Sequence, residues 1–188
     1  MSNLPPEPWH SFLSALDQAV DIPTRLDCIG GFVVTTVYGM GRHTGDIDVL
    51  DISAGPTTAA IREQLLALGG VGSPLHHKFG VYLEQVGIAP LPYEYESRLQ
   101  EIFAGCYQNL ILMAADPYDL ALSKIERNSL KDRQDVVYLG VHVPFDIDVL
   151  RERYQTELRF LLGVPKREDL TLELWIEMIS EAKSAAPQ

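Results

Sequence analysis

Residues 30–50, "GGFVVTTVYGMGRHTGDIDVL", join two glycines, Gly30 and Gly31, to two aspartates, Asp46 and Asp48. Each pair lies beside a segment that is otherwise apolar. In a β-strand, residues two apart project from the same face with their Cα atoms about 6.6 Å apart. The spacing therefore predicts that Asp46 and Asp48 converge on one position in front of a sheet.

The segments around these residues have distinct patterns. "RLDCI" before the glycines predicts a short buried strand, and "DIDVLDI" predicts a second strand whose other face carries Ile47, Val49 and Asp51. "FVVTTVYGM" suits two structures, because its β-branched residues favour a strand while its position after a glycine pair favours a short buried helix. We favour the helix.

On either side of residues 30–50, the sequence predicts alternating helices and strands, followed by a C-terminal part that contains only helices. A stripe at helical spacing predicts an N-terminal amphipathic helix over Trp9, Phe12, Leu13 and Leu16. Further strands are predicted at "KFGVYLEQV" and "YQNLILMA", and helices at "GPTTAAIREQLLALGG", "DPYDLALSKIERNSLKDRQDVVYL", "FDIDVLRERYQTELRFLL" and "LTLELWIEMISEA". Strands come early and helices late, so we predict an α+β fold with a mixed sheet, flanking helices and a helical C-terminal part.

Composition limits the class of protein. The chain has 188 residues and a formal net charge of -11, and an acidic surface repels phosphate backbones, which argues against broad nucleic-acid binding. No apolar stretch approaches the roughly 20 residues of a membrane span, and the N-terminus has no signal pattern. We expect a cytoplasmic protein with no membrane partner. Cys28 and Cys106 lack CxxC spacing, which predicts buried thiols.

The aspartate pair and the glycine pair of residues 30–50 together suggest a site that binds a divalent cation and a phosphate. Two carboxylates side by side repel each other, and a divalent cation such as Mg²⁺ or Mn²⁺ removes that cost. Glycine has no Cβ, so the backbone at Gly30 and Gly31 can approach a phosphate closely. Each motif alone also occurs without function: a DxD arises on strands by chance, and a Gly-Gly pair is often only a turn. Their order and spacing favour the functional interpretation.

The same stretch resembles the signature of the polymerase-beta-type nucleotidyltransferase superfamily, in which a glycine turn and a short helix precede a strand with Asp-x-Asp. The form "RHTGDID", with Arg42 and Thr44, resembles the bacterial branch that includes the toxin subunit of type IV abortive-infection systems. That branch also has a helical lysine followed by an (Arg/Lys)-Asp-x-x-Asp segment. Here these are Lys124 and "KDRQD", with Asp132 and Asp135.

The resemblance implies a role for each matching residue. Asp46 and Asp48 would hold the metal, and they would act as catalytic residues together with Lys124 and Asp135. The residues that would bind the nucleotide are Gly30, Gly31, Arg42, Thr44 and Lys124. Asp135, and as a further candidate Asp132, would complete the acidic site. Glu84 in "VYLEQV" is the candidate for a third carboxylate from a later strand.

These residues have other interpretations. Glu84 would otherwise be a solvated strand carboxylate, and Asp132 the cap of its own helix in the capping box "SLKD". Lys124 would otherwise extend to water. Adjacent His76 and His77, placed on a strand, would point to opposite faces and share no metal.

The sequence thus predicts a nucleotidyltransferase-like core over residues 1–115 and a helical part over residues 116–188. The predicted reaction is metal-dependent transfer of a nucleotidyl group from a nucleoside triphosphate to a hydroxyl acceptor. The resemblance implies an RNA end, such as that of a transfer RNA, as one acceptor, and a protein is another. It also implies a toxin–antitoxin or defence role with an antitoxin or partner protein. The alternative is a non-catalytic nucleotide- or protein-binding module with the same fold.

Overall fold

The computed structural model describes residues 4–185. The strands are β1 (Thr24–Ile29), β2 (Asp46–Ser53), β3 (Tyr82–Gln85), β4 (Gln100–Ile102) and β5 (Leu110–Ala114). The helices are α1 (Trp9–Asp17), α2 (Gly30–Thr36), α3 (Thr58–Gly69), α4 (Pro74–Phe79), α5 (Pro117–Leu122), α6 (Leu130–His142), α7 (Ile147–Arg153) and α8 (Pro165–Ala185). The predicted α+β class, with a mixed sheet and a helical C-terminal part, is confirmed.

The described residues form two compact units. The first comprises residues 4–88 and 99–114 and contains the whole sheet with α1 to α4. The second comprises residues 89–98 and 115–185 and contains α5 to α8. Between residues 4 and 185, no helix has both the length and the apolar character that a bilayer span requires.

The sheet of the first unit has the strand order β3-β2-β1-β5-β4. β1 is antiparallel to β2 and parallel to β5, β2 is parallel to β3, and β4 is antiparallel to β5. β1 is therefore central, and β2 lies between it and the edge strand β3. The helix favoured for "FVVTTVYGM" is confirmed, because α2 begins at Gly30 directly after β1.

A β-bulge in β2 changes the predicted alternation. Asp27 of β1 pairs with Asp51, whereas the next residue, Cys28, pairs with Val49, which leaves Leu50 without a counterpart. One extra residue shifts the alternation of side chains by one position beyond it. The buried positions of β2 are accordingly Ile47, Val49 and Ile52. The expectation that Asp51 shares a face with Ile47 and Val49 is wrong.

The segment before β3 also differs from the prediction, because His76 and His77 lie on helix α4 and not on a strand. The hydroxyl of Ser73 accepts a hydrogen bond from the backbone N–H of His76, and Pro74 occupies the first helical turn. Gly80, with φ of 72°, then ends the helix in the left-handed conformation. These residues form a start signal and a stop signal for a short helix.

Apolar packing joins the helices of the first unit to the sheet. The predicted stripe of α1 is confirmed, since all of its members are buried: Trp9, Phe12, Leu13 and Leu16. Ile61 and Leu65 of α3 are buried, and α3 contacts β2 and β3. A Cβ at Gly69 would lie 2.8 Å from Leu16 Cδ2, so α1 and α3 approach closely there.

In the second unit, ion pairs connect residues 89–98 to the helices. Arg98 donates through Nε to Asp119 at 2.8 Å and through Nη2 to Glu157 at 2.7 Å. Arg153 in turn pairs with Asp116 and Asp119. Asp116 also caps α5, because its side chain accepts hydrogen bonds from two backbone N–H groups of the first turn. Both arginines therefore hold α5 through Asp119.

Helices α6 and α8 meet at a glycine. Gly140 is buried in α6, and a Cβ at this position would lie 2.7 Å from both Cγ atoms of Ile179. Trp175 and Ile179 of α8 are completely buried, while Leu170 is 74% exposed. The helix predicted at "LTLELWIEMISEA" thus contributes Trp175 and Ile179, together with the buried Leu172, to the core.

We expect Gly140→Ala to lower the free energy of unfolding by about 1 to 2 kcal/mol, because overpacking against Ile179 outweighs the helix propensity that alanine adds. Urea unfolding followed by circular dichroism measures the change. In an Ile179→Ala background the added methyl group has room, so the same substitution should be neutral or stabilising. Equal effects in both backgrounds would show that the helices do not pack closely at Gly140.

Candidate metal centre

Carboxylates from two neighbouring strands converge at one edge of the first unit. One oxygen from each of Asp46, Asp48 and Glu84 lies within 4.8 Å of the other two. The parallel pairing of β2 with β3 explains this arrangement, because Asp46 is opposite Tyr82 and Asp48 is opposite Glu84. Side chains of paired residues project from the same face of a sheet. The two aspartates are half-buried and Glu84 is exposed.

Gly30 allows Asp48 to occupy its position. Ile29 pairs with Asp48 across β1 and β2, so Gly30 begins α2 directly beside the aspartate. A Cβ on Gly30 would overlap with Oδ2 of Asp48 and lie 2.7 Å from its Cγ. Gly30 also has φ of +74°, a conformation that side chains strongly disfavour. Both the backbone and the neighbouring carboxylate therefore require glycine.

Gly31 has a different neighbourhood. A Cβ on Gly31 would lie 2.9 Å from the hydroxyl of Thr44 and 3.0 Å from Nη2 of Arg42. Thr44 is buried, and its hydroxyl donates a hydrogen bond to Oδ1 of Asp46 at 2.9 Å. Gly31 thus makes room for Thr44 of the "RHTGDID" motif, and Thr44 in turn orients Asp46.

The acidic cluster affects two nearby side chains. Burial, followed by the negative charges of Asp46, Glu84 and Asp48, raises the pKa of Tyr82, so its phenol stays protonated and can donate a hydrogen bond. Burial likewise raises the pKa of Cys28, with Asp27 and Asp48 as lesser causes. Cys28 is fully buried, as predicted, whereas Cys106 is only half-buried. A protonated, buried Cys28 is not a nucleophile.

The donor set fits a hard divalent cation. All members of the cluster offer carboxylate oxygens, and oxygen-only sites suit Mg²⁺, Mn²⁺ or Ca²⁺ rather than metals that prefer sulfur or imidazole. Three carboxylates held this close repel one another, and a bound cation relieves the repulsion. Among residues 4–185, this is the one group of three or more acidic, histidine or cysteine side chains close enough together to hold a metal.

The other predicted site residues form a separate cluster in the second unit. Nζ of Lys124 lies 3.2 Å from Asp135 and 3.9 Å from Asp132. Lys124 is 3% exposed, so the alternative in which it extends to water is wrong. Arg127, which is largely exposed, donates two hydrogen bonds to Asp132. The capping box of Ser129 and Asp132 is confirmed.

The structure therefore brings the predicted residues together in two groups. Gly30, Gly31, Arg42, Thr44, Asp46, Asp48 and Glu84 lie around the acidic cluster of the first unit, and Lys124, Asp132 and Asp135 form a buried ion cluster in the second. Binding of nucleotide by either group stays a prediction. A second "DID" string, at residues 146–148, begins helix α7, because the side chain of Asp146 accepts a hydrogen bond from the backbone N–H of Asp148.

Sequence reasoning missed the position of Tyr82 beside the acids. The only sequence signal for this position is that Tyr82 lies two residues before Glu84, and the opposing residue, Asp46, is identified only by the register of β2 against β3.

A family model described as "Nucleotidyltransferase of unknown function (DUF6036)" matches residues 11–183. No curated protein matches the chain. No solved structure matches it either.

We expect Gly30→Ala to weaken Mn²⁺ binding by at least about tenfold, because its methyl group displaces the Asp48 carboxylate. Manganese titration monitored by electron paramagnetic resonance measures the affinity. Gly55→Ala is the matched control, since Gly55 also has positive φ but a Cβ there would meet nothing within 4 Å. Equal metal affinity in the two variants would contradict the role of Gly30.

A second prediction concerns Asp132. Its burial opposes ionisation, but hydrogen bonds from Arg127 and Ser129 outweigh that effect and lower its pKa from 3.8 to about 2. The ionised form therefore stabilises the fold above pH 4, and this contribution is lost as the pH falls from 4 towards 2. We expect Asp132→Asn to lower the free energy of unfolding by about 2 kcal/mol at pH 7.

Urea unfolding at pH values from 3 to 7 tests this prediction, and the difference from the parent protein should shrink below pH 4. Asp146→Asn is the control, because asparagine caps a helix as well as aspartate does. A difference for Asp132→Asn that stays constant with pH would contradict the role of its charge.

Proposed function

Because the chain belongs to the family of nucleotidyltransferases of unknown function, we propose that it transfers a nucleotidyl group from a nucleoside triphosphate to a hydroxyl acceptor. The observation that carries this proposal is the convergence of Asp46, Asp48 and Glu84 within 4.8 Å, beside Gly30, whose positive φ and close contact with Asp48 both disfavour a side chain. Oxygen ligands at this spacing suit the divalent cations that accompany phosphates.

In the proposed mechanism, Asp46, Asp48 and Glu84 hold Mg²⁺ or Mn²⁺. When bound, the cation neutralises negative charge on the triphosphate. Thr44 keeps Asp46 oriented through its hydrogen bond of 2.9 Å. Arg42, whose guanidinium lies against Gly31, is suited to bind phosphate oxygens, because a guanidinium donates two parallel hydrogen bonds.

The transfer itself needs one bond to form and one to break. The acceptor oxygen attacks the α-phosphorus, the bond from that phosphorus to the β-phosphate oxygen breaks, and pyrophosphate leaves. The acceptor hydroxyl loses a proton. We assign that proton to Glu84, since it is the exposed acid of the cluster while Asp46 already accepts from Thr44.

Lys124 and Asp135 enter this proposal through the sequence resemblance. For Lys124 to contact the triphosphate, its ammonium group must exchange the Asp135 carboxylate, 3.2 Å away, for a phosphate oxygen. For Asp135 to join the acidic site, it must give up the same pair. The proposal also includes an RNA end or a protein as the acceptor, and a role in a toxin–antitoxin or defence pair.

Transfer of label tests the reaction. We expect the protein with Mg²⁺ and α-labelled nucleoside triphosphates to label an acceptor in total cellular RNA or protein. Asp48→Asn should reduce the rate of labelling at least about a thousandfold, because the loss of a metal ligand leaves the triphosphate charge uncompensated.

Asp51→Asn is the matched control on the same strand. Asp51 lies outside the cluster and pairs with Arg62 at 3.0 Å, so its loss should leave the rate unchanged. Metal-dependent nucleotide binding without transfer, in every metal and acceptor mixture tried, would favour the non-catalytic binding module instead.

A further inference from the structure

Exposed apolar side chains are concentrated in one short segment of the second unit. Among residues 4–185, ten large apolar side chains are exposed, and four of them lie within residues 160–170. These four form what we call the apolar patch: Phe160 (64% exposed), Leu161 (53%), Val164 (72%) and Leu170 (74%). Single exposed apolar residues are normal on a monomer, whereas a group of them rimmed by polar residues marks an interaction site.

Contacts beneath the apolar patch hold its two parts together. The guanidinium of Arg159 donates two hydrogen bonds to the carboxylate of Asp169, at 2.8 and 2.9 Å, and the hydroxyl of Tyr154 donates a third at 2.8 Å. These bonds fix the short turn Arg159–Leu161 beside the beginning of α8. The leucines on either side of this turn are buried: Leu158 and Leu162. The patch therefore lies on a packed segment of the chain.

The charge changes sign along the exposed face of α8. Residues three and four apart lie on the same side of a helix, so one exposed stripe contains four residues: Lys166, Leu170, Glu173 and Glu177. Along the helix axis, Lys166 lies about 6 Å before Leu170, and Glu173 lies about 4.5 Å after it. The stripe is therefore basic before its apolar centre and acidic after it.

A stripe with this order of charges is complementary to a second copy of itself. A two-fold axis through Leu170 reverses the direction of the second helix, so that Lys166 of one copy faces Glu173 of the other, and the same pair forms twice. The two Leu170 side chains meet at the axis and shield each other from water. An anionic lipid surface fits less well, because Glu173 and Glu177 would be repelled by it.

The distribution of charge over the chain also favours this face for self-association. The net charge of -11 makes two copies repel each other over most of their surfaces. Residues 159–170 depart from that average, since they contain three basic and two acidic residues. Repulsion between two approaching copies is therefore weakest at the apolar patch.

We propose that the chain forms a two-fold symmetric dimer in which α8 packs antiparallel to α8 of a second copy across Leu170, with the rest of the apolar patch buried around it. This inference goes beyond the proposed function, because no step of nucleotidyl transfer requires it. Four apolar side chains from each copy cover less than the about 800 Å² per partner of a standard interface. The dimer is accordingly weak, with a dissociation constant of about 10 µM.

Sedimentation equilibrium of the whole chain, from about 1 to about 200 µM, tests the dimer. We expect the average mass to rise from 21.0 kDa towards twice that value and to level off there. Leu170→Glu should weaken the dimer at least about tenfold, because it places two like charges at the axis. Ile88→Glu is the matched control, since Ile88 is 94% exposed in the first unit and the variant adds the same charge outside the patch.

Exchange of the paired charges tests the two-fold arrangement. Lys166→Glu and Glu173→Lys should each weaken the dimer at least about threefold, and the double variant should restore it, because the opposite charges then face each other in exchanged positions. Within one copy, Glu173 also pairs with Arg151 at 3.0 Å. Both of these side chains are exposed, so the loss of their pair has little effect on folding.

Three results would overturn the proposal: a monomer at every concentration, a dimer that Leu170→Glu leaves intact, or single charge reversals that the double variant does not rescue. A chain that stays monomeric but binds vesicles of phosphatidylserine and phosphatidylcholine would assign the patch to a membrane instead. Circular dichroism should show that Leu170→Glu is folded, because Leu170 is exposed. If that variant loses its helical signal, the charge exchange alone decides between a dimer through α8 and another interface.

Discussion

The carboxylate of Asp48 lies where any side chain of residue 30 would have to be, and the rest of the acidic cluster depends on this contact. Gly30 permits β1 to turn directly into α2 with a positive φ and still leave room for the aspartate. With Asp48 fixed against the backbone, the register of β2 against β3 brings Glu84 opposite it. The glycine is thus a condition for the geometry of the cluster, whether or not its backbone also contacts a phosphate.

The two groups of charged residues differ in their burial and in the sign of the charges that lie next to each other. In the first unit, carboxylates of like charge are held together and half-exposed, an arrangement that is unfavourable without a cation. In the second unit, Lys124 and Asp132 are almost completely buried, but every charge has an opposite partner nearby. A buried pair of this kind is costly to break because it leaves an uncompensated charge. The first arrangement is typical of a binding site and the second of a structural connection.

Much of the fold and part of the cluster could be predicted because the signals are local. The spacing of Asp46 and Asp48 decides their common face, and a stripe such as that of α1 decides which side of a helix is buried. Glu84 was only a candidate, since its distance from the aspartates depends on pairing between strands that are far apart in sequence. The bulge at Leu50 leaves no recognisable pattern in the sequence, so strict alternation predicts the wrong face for Asp51. For His76 and His77, the start signal at Ser73 and the stop at Gly80 were present but were outweighed by the apolar run that follows.

The irregular pairing at Leu50 has an evolutionary consequence. In an uninterrupted strand, the gain or loss of one residue reverses the face of every residue beyond it. β2 already contains a residue without a counterpart, so a deletion there can be absorbed by closing the bulge. Without Leu50, every remaining residue keeps its present partner in β1, so Ile52 stays buried and Asp46 and Asp48 keep their common face. The loss of one residue at this position can therefore be tolerated in a related chain without moving the acids to the other face.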